Sequence, residues 1–141
     1  MLAVIDTNIL LVTVSARSAF HWLYKAILEK KIALAFSTDI LAEYEEQLSA
    51  HWHPDVATNV IRSLLELSTA RLTIAYFKLN LIAADEDDNK FVDCAFAANA
   101  DCIVTNDRDF DVLKSITFPA INVLNIHAFK ALLLDKGLID N

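Results

Sequence analysis

The chain has 141 residues, 55% of them hydrophobic, with one glycine, two prolines and a formal charge of −7. Together with a mean hydropathy of +0.38, this excludes disorder and predicts one domain, residues 1–141, able to bury a core. No apolar run approaches the roughly 18–20 residues of a membrane span, and no basic leader precedes the first apolar segment, so the expected location is cytoplasmic.

Leu2–Ile5 reads as a buried strand that ends at a polar turn. Thr7-Asn8 can cap the segment after that turn, and 16–30 carries Phe20, Leu23, Tyr24, Ile27 and Leu28 at helical spacing. Ile32–Phe36 is a second strand. Ser37 or Thr38 then caps a helix through Leu48, with Ile40, Leu41, Tyr44 and Leu48 as its apolar stripe. Pro54 opens another helix at the first-turn position proline tolerates, and Val56, Val60, Ile61, Leu64 and Leu67 continue it. Residues 71–77 alternate as a third strand, with Leu72, Ile74 and Tyr76 on one side. After a polar, acidic break at 84–90, a helix is expected over 88–98 and a strand over 102–105. A short helix near 110–114, a strand at 121–124 and a last helix at 126–134, stopped by Gly137, complete the chain. The β-α alternation predicts a three-layer α/β/α sandwich with a mostly parallel central sheet.

In such a sheet the strand C-termini and helix N-termini share one edge, where α/β folds bind ligands. Asp6 and Asp107 each come directly after an apolar strand, and Glu43 and Asp88 sit near the starts of two helices. Asp88 lies on the apolar stripe of its own helix, with Phe91, Val92 and Ala95 three, four and seven residues on. An ionised side chain there costs several kcal/mol unless it is paired or metal-bound, against about 0.3–1 kcal/mol recovered from the helix N-terminus. Glu43 points away from its helix's stripe, with Glu45 and Glu46 as rivals, and Asp107 competes with Asp109 and Asp111. Helix capping is the plain alternative for Asp6 and Asp88. Carboxylates about 5 Å apart repel by roughly 3 kcal/mol per pair at an effective dielectric of 20, so a cluster of four requires a cation. Oxygen donors without His or Cys select Mg²⁺ or Mn²⁺, and such a centre suits phosphodiester hydrolysis.

Four segments in order resemble the PIN domain family: Val4-Ile5-Asp6-Thr7-Asn8-Ile9-Leu10, Ser37-Thr38-Asp39-Ile40-Leu41-Ala42-Glu43-Tyr44, Asp85-Glu86-Asp87-Asp88-Asn89-Lys90-Phe91 and Ala100-Asp101-Cys102-Ile103-Val104-Thr105-Asn106-Asp107. The resemblance implies a nuclease fold and, within it, the VapC-like toxins of type II toxin–antitoxin systems. It selects Glu43 over Glu45 and implies that Asp6, Glu43, Asp88 and Asp107 are both the catalytic residues and the ligands of Mg²⁺ or Mn²⁺, with Asp87 and Asp93 outside candidates. It further implies cleavage of single-stranded RNA, homodimers and inhibition by an antitoxin protein. Related sequences often place glycine where this chain has Asn99 and Asn106; asparagine is the next-best residue for a left-handed turn.

The alternatives are a nuclease of the same chemistry in RNA processing or DNA cleavage without an antitoxin, and a PIN-like module that binds metal or a partner without cleaving. A receiver domain would need two acids after the first strand, and a dehalogenase-type phosphatase Asp-x-Asp, where position 8 is Asn. The net acidity is unlike the basic footprint of most nucleic-acid binders and fits a partner that supplies a basic segment. Thr7, Asn8 and Thr105 neighbour the acids and are candidates to orient them or a metal-bound water, with simple helix capping or turn chemistry an equal reading. Arg17, His21 and Arg108 are candidate phosphate contacts, though ordinary surface charge is the stronger reading of them. His51-Trp52-His53 reads as a loop feature, since residues two apart point to different helix faces. Cys94 and Cys102, without a CxxC spacing, read as buried thiols.

Overall fold

The computed structural model describes residues Met1–Asn141. Its elements are β1 (Leu2–Ile5), α1 (Thr7–Thr13), α2 (His21–Leu28), β2 (Ala33–Phe36), α3 (Thr38–His51), α4 (Pro54–Glu66), β3 (Ala70–Leu72), α5 (Asn89–Ala98), β4 (Cys102–Val104), β5 (Val123–Leu124) and α6 (Ile126–Asp135). Two 3₁₀ segments, Glu86–Asp88 and Arg108–Ser115, lie before α5 and after β4. The five strands are all parallel, in the order β3-β2-β1-β4-β5. Parallel strands need crossovers, and the helices that supply them give the expected α/β/α sandwich. The central strands are the most apolar: Ala3, Val4, Ile5, Ile103 and Val104 have no exposed surface, as strands covered on both faces require. Helix α5 packs across β1, β2 and β4, and α3 joins α1, α4 and β2. No helix is long and apolar enough to cross a membrane.

Three expectations need correction. The helix expected over 16–30 begins only at His21, and a separate helix occupies Thr7–Thr13. Between them the Ser15 and Ser18 hydroxyls accept the backbone N–H groups of Arg17 and Phe20 at 3.3 and 3.1 Å, local bonds that compete with helix. The strand expected over 71–77 stops at Leu72. The apolar members of its alternation face solvent instead of a core: Leu72, Ile74 and Tyr76 are 57, 67 and 82% exposed. Asn99 does cap α5 in the left-handed conformation, with φ 52°. Asn106 does not; its side chain works instead, Oδ1 accepting the Ile126 N–H at 3.2 Å.

The remaining polar signals resolve into scaffold. Ser37 caps α3 through the Ile40 N–H, and Pro54 occupies the first turn of α4. Trp52 donates its indole N–H to Leu11 O at 3.1 Å, while His53 Nδ1 accepts the Asp55 N–H at 3.0 Å. Cys94 and Cys102 are free and buried, and burial pushes both thiols up to about 12.

Candidate active site

The strand order reverses at β1: β2 and β3 lie on one side, β4 and β5 on the other. The crevice between β1 and β4 at their C-terminal ends is therefore the switch point where a parallel sheet opens to ligands. Asp6 stands at that crevice, directly after β1. Its backbone N–H donates to Val104 O at 3.0 Å, drawing the ends of β1 and β4 together. The residue is only 6% exposed, and Oδ2 accepts the Thr105 hydroxyl at 2.7 Å. Thr105 Oγ1 in turn accepts the Asp107 N–H at 3.0 Å, so one hydroxyl positions two acids. Asp107 also caps the 3₁₀ segment after β4, its Oδ1 accepting the Asp109 N–H at 2.9 Å.

Glu43 approaches from α3. Its Oε2 accepts the Thr7 hydroxyl, and its Oε1 pairs with Lys90 Nζ at 2.8 Å. The next residue, Tyr44, is fully buried and donates its phenol O–H to Ile5 O, beside Asp6. The rivals Glu45 and Glu46 are exposed. Asp88 arrives from the 3₁₀ segment that leads into α5. It is buried, and its Oδ2 has no hydrogen-bond partner.

Desolvation raises the Asp6 carboxyl most; Thr105 and the Thr7 backbone partly offset this, while Asp107 and Glu43 repel its charge. Asp88 is pushed up to about 7, first by burial and then by Asp85, Asp107, Asp6 and Asp109. The sequence-predicted acids therefore share one electrostatic neighbourhood. The tightest grouping within it is Asp85, Asp88 and Asp109, each offering an oxygen within 4.8 Å of the others. Sequence reasoning assigns no role to Asp85 and treats Asp109 only as a competitor of Asp107. The available signal is spacing: Asp85 precedes Asp88 by three residues at a 3₁₀ turn, where side chains three apart eclipse. Of the outside candidates, Asp87 is exposed, and Asp93 accepts the Leu79 N–H at 3.0 Å as part of the scaffold. Asn8, Arg17 and Arg108 are exposed, while His21 Nδ1 lies 2.9 Å from Thr13 O.

Two open volumes meet this centre. One, about 1070 Å³, runs past Glu43 and Lys90 between α3 and residues 72–83. The other, about 340 Å³, reaches Asp107 beside Arg108, Lys114 and His127. The donor set suits a hard divalent cation: oxygen ligands only, and one buried carboxylate oxygen that lacks a partner.

A family model described as PIN domain matches residues 3–109. No curated protein matches the chain. A chain in the crystal structure of VapBC2 from Rickettsia felis, bound to a DNA fragment from their promoter, superposes with a TM-score of 0.59 at 19% identity. That match covers 89% of this chain and 98% of the other, and it shows a shared fold.

Proposed function

The chain belongs to the PIN domain family, and on that footing we propose that it is a divalent-metal-dependent endoribonuclease, the toxin of a toxin–antitoxin pair. The observation that carries the reading is the buried, unpartnered Oδ2 of Asp88, set among acids that repel it. A buried carboxylate without a partner is costly, and a cation is the partner that all its neighbours would also accept. Asp6, Asp88 and Asp107 would hold Mg²⁺ or Mn²⁺ at the strand edge, with Glu43, tied by Thr7 and Lys90, lining the centre from α3. The bound ion would neutralise the substrate phosphate and activate a water. The chain's own part is positional: Thr105 fixes Asp6 and Asp107, Thr7 and Lys90 fix Glu43, and Tyr44 anchors α3 to the end of β1.

An antitoxin partner is supported by the fold shared with a chain of the VapBC2 assembly and by the net charge of −7, which suits a basic partner segment. The test is cleavage of a mixed single-stranded RNA pool in Mn²⁺ or Mg²⁺ by wild type, Asp6→Asn and Asp88→Asn. The expected outcome is cleavage by wild type that EDTA abolishes, with each variant down by about a hundred- to a thousandfold, the scale lost when one charge-stabilising group is removed. Cleavage undiminished in both variants, or insensitive to EDTA, overturns the assignment.

A further inference from the structure

Lys90 is the one basic side chain that forms a salt bridge with a carboxylate of the acidic centre. Its Nζ lies 2.8 Å from Glu43 Oε1, and both side chains are largely shielded, at 19 and 26% exposed. The ammonium also lies 5.5 Å from the centroid of the Phe91 ring, whose face favours a cation. The other oxygen of Glu43 is taken by the Thr7 hydroxyl, so both oxygens of this carboxylate are already engaged. Asp88 is the opposite case. It lies two residues before Lys90, yet its Oδ2 has no partner. The centre is thus divided into a neutralised arm at Glu43 and an uncompensated arm at Asp88, where Asp85, Asp6, Asp107 and Asp109 contribute further negative charge.

We propose that Lys90 is a built-in counter-cation: with Thr7 it holds Glu43 in place of a second divalent ion, so the centre takes a single ion on its Asp88 side. This rests on the reading that the centre binds a divalent cation. The physical reason is that a fixed positive charge repels an incoming one at close range, more strongly for partly shielded side chains than in bulk water. A lysine tied to the same carboxylate also removes the donor a second ion would need. Lys90 is a positioning residue here: it orients Glu43 and sets the charge of the centre. Arginine at 90 would keep the charge, whereas glutamine would keep much of the length and free Glu43.

The test counts Mn²⁺ bound per full-length chain by calorimetry and by the electron paramagnetic resonance signal of the free ion, without substrate. Wild type and Lys90→Arg are expected to bind one ion. Lys90→Gln is expected to bind a second, and the Lys90→Gln/Glu43→Gln double variant to return to one. Two ions on wild type, or one on Lys90→Gln, would overturn the proposal and leave the metal-centre reading standing. No Mn²⁺ on any form overturns that reading and the proposal with it. Melting curves in EDTA show whether each variant is folded before ions are counted; if Lys90→Gln is not, Lys90→Met provides the same count.

Discussion

As the proposed metal ligand, Asp88 would set stability against function at a single atom. Its carboxyl is held at about 7 by burial and by four neighbouring acids, so at pH 8 it is ionised, buried and unpartnered at Oδ2. Asp88→Asn keeps the shape and removes the charge. The metal-free variant should therefore be more stable than wild type at pH 8, by roughly 1–2 kcal/mol, even though it is expected to lose cleavage. Denaturant melts in EDTA measure this, and a less stable variant would mean that the charge is compensated in a way the geometry does not show. The sequence points to this residue because an Asp on the apolar stripe of its own helix is physically anomalous. It does not point to Lys90, since a lysine beside an acidic run looks like ordinary solvated charge. Only the approach of α3 to α5, a contact between distant segments, gives that lysine its partner.

Helix α5 also holds the neighbouring chain in place. Asn89 donates to Ile82 O and accepts the Ile82 N–H, both at 2.9 Å, and Asp93 accepts the Leu79 N–H. These bonds replace sheet pairing for a segment that leaves the edge after Leu72, and Ile82 is buried as a result. Asn89→Ala should cost about 2–3 kcal/mol, since two buried backbone groups lose their partners. It should also speed hydrogen exchange at Ile82 while leaving β1 and β4 protected; unchanged exchange at Ile82 would show that other contacts hold the segment. Elements with strong local signals are legible in the sequence: β1 and β2 by apolar run, α3 by its Ser37 cap, α4 by Pro54, and the α5 stop by Asn99. The differences lie where side-chain bonds to the backbone decide. Serine hydroxyls shorten α2, and α5 side chains hold Leu79 and Ile82, just beyond the run that alternates like a strand. Asn106 acts through its side chain at the start of α6, where its backbone alone suggested a left-handed turn.

Across the whole molecule, the parallel sheet brings acids from 6 to 109 to one edge of a chain that already carries −7, and proton and metal binding there should be linked. Asp6 and Asp88 both have carboxyls raised in the folded state. A raised carboxyl contributes stability below its unfolded value, and that contribution is lost as pH rises through the folded value. For Asp88 the window runs from 3.8 to about 7, so the protein in EDTA should lose stability across it. A divalent ion held by the ionised centre, as proposed, would restore stability at the upper end. At an ion concentration about a hundred times Kd the gain is about 2.7 kcal/mol, or a Tm rise of about 10 °C for a chain of this size. At pH 5.5 the proton on Asp88 competes with the ion, so the gain there should be far smaller. Melting curves at pH 5.5 and pH 8, each with Mn²⁺ and with EDTA, separate the cases. Equal gains at both pH values would place the ion elsewhere, because only a centre that exchanges protons for metal makes the effect of the ion depend on pH in this direction.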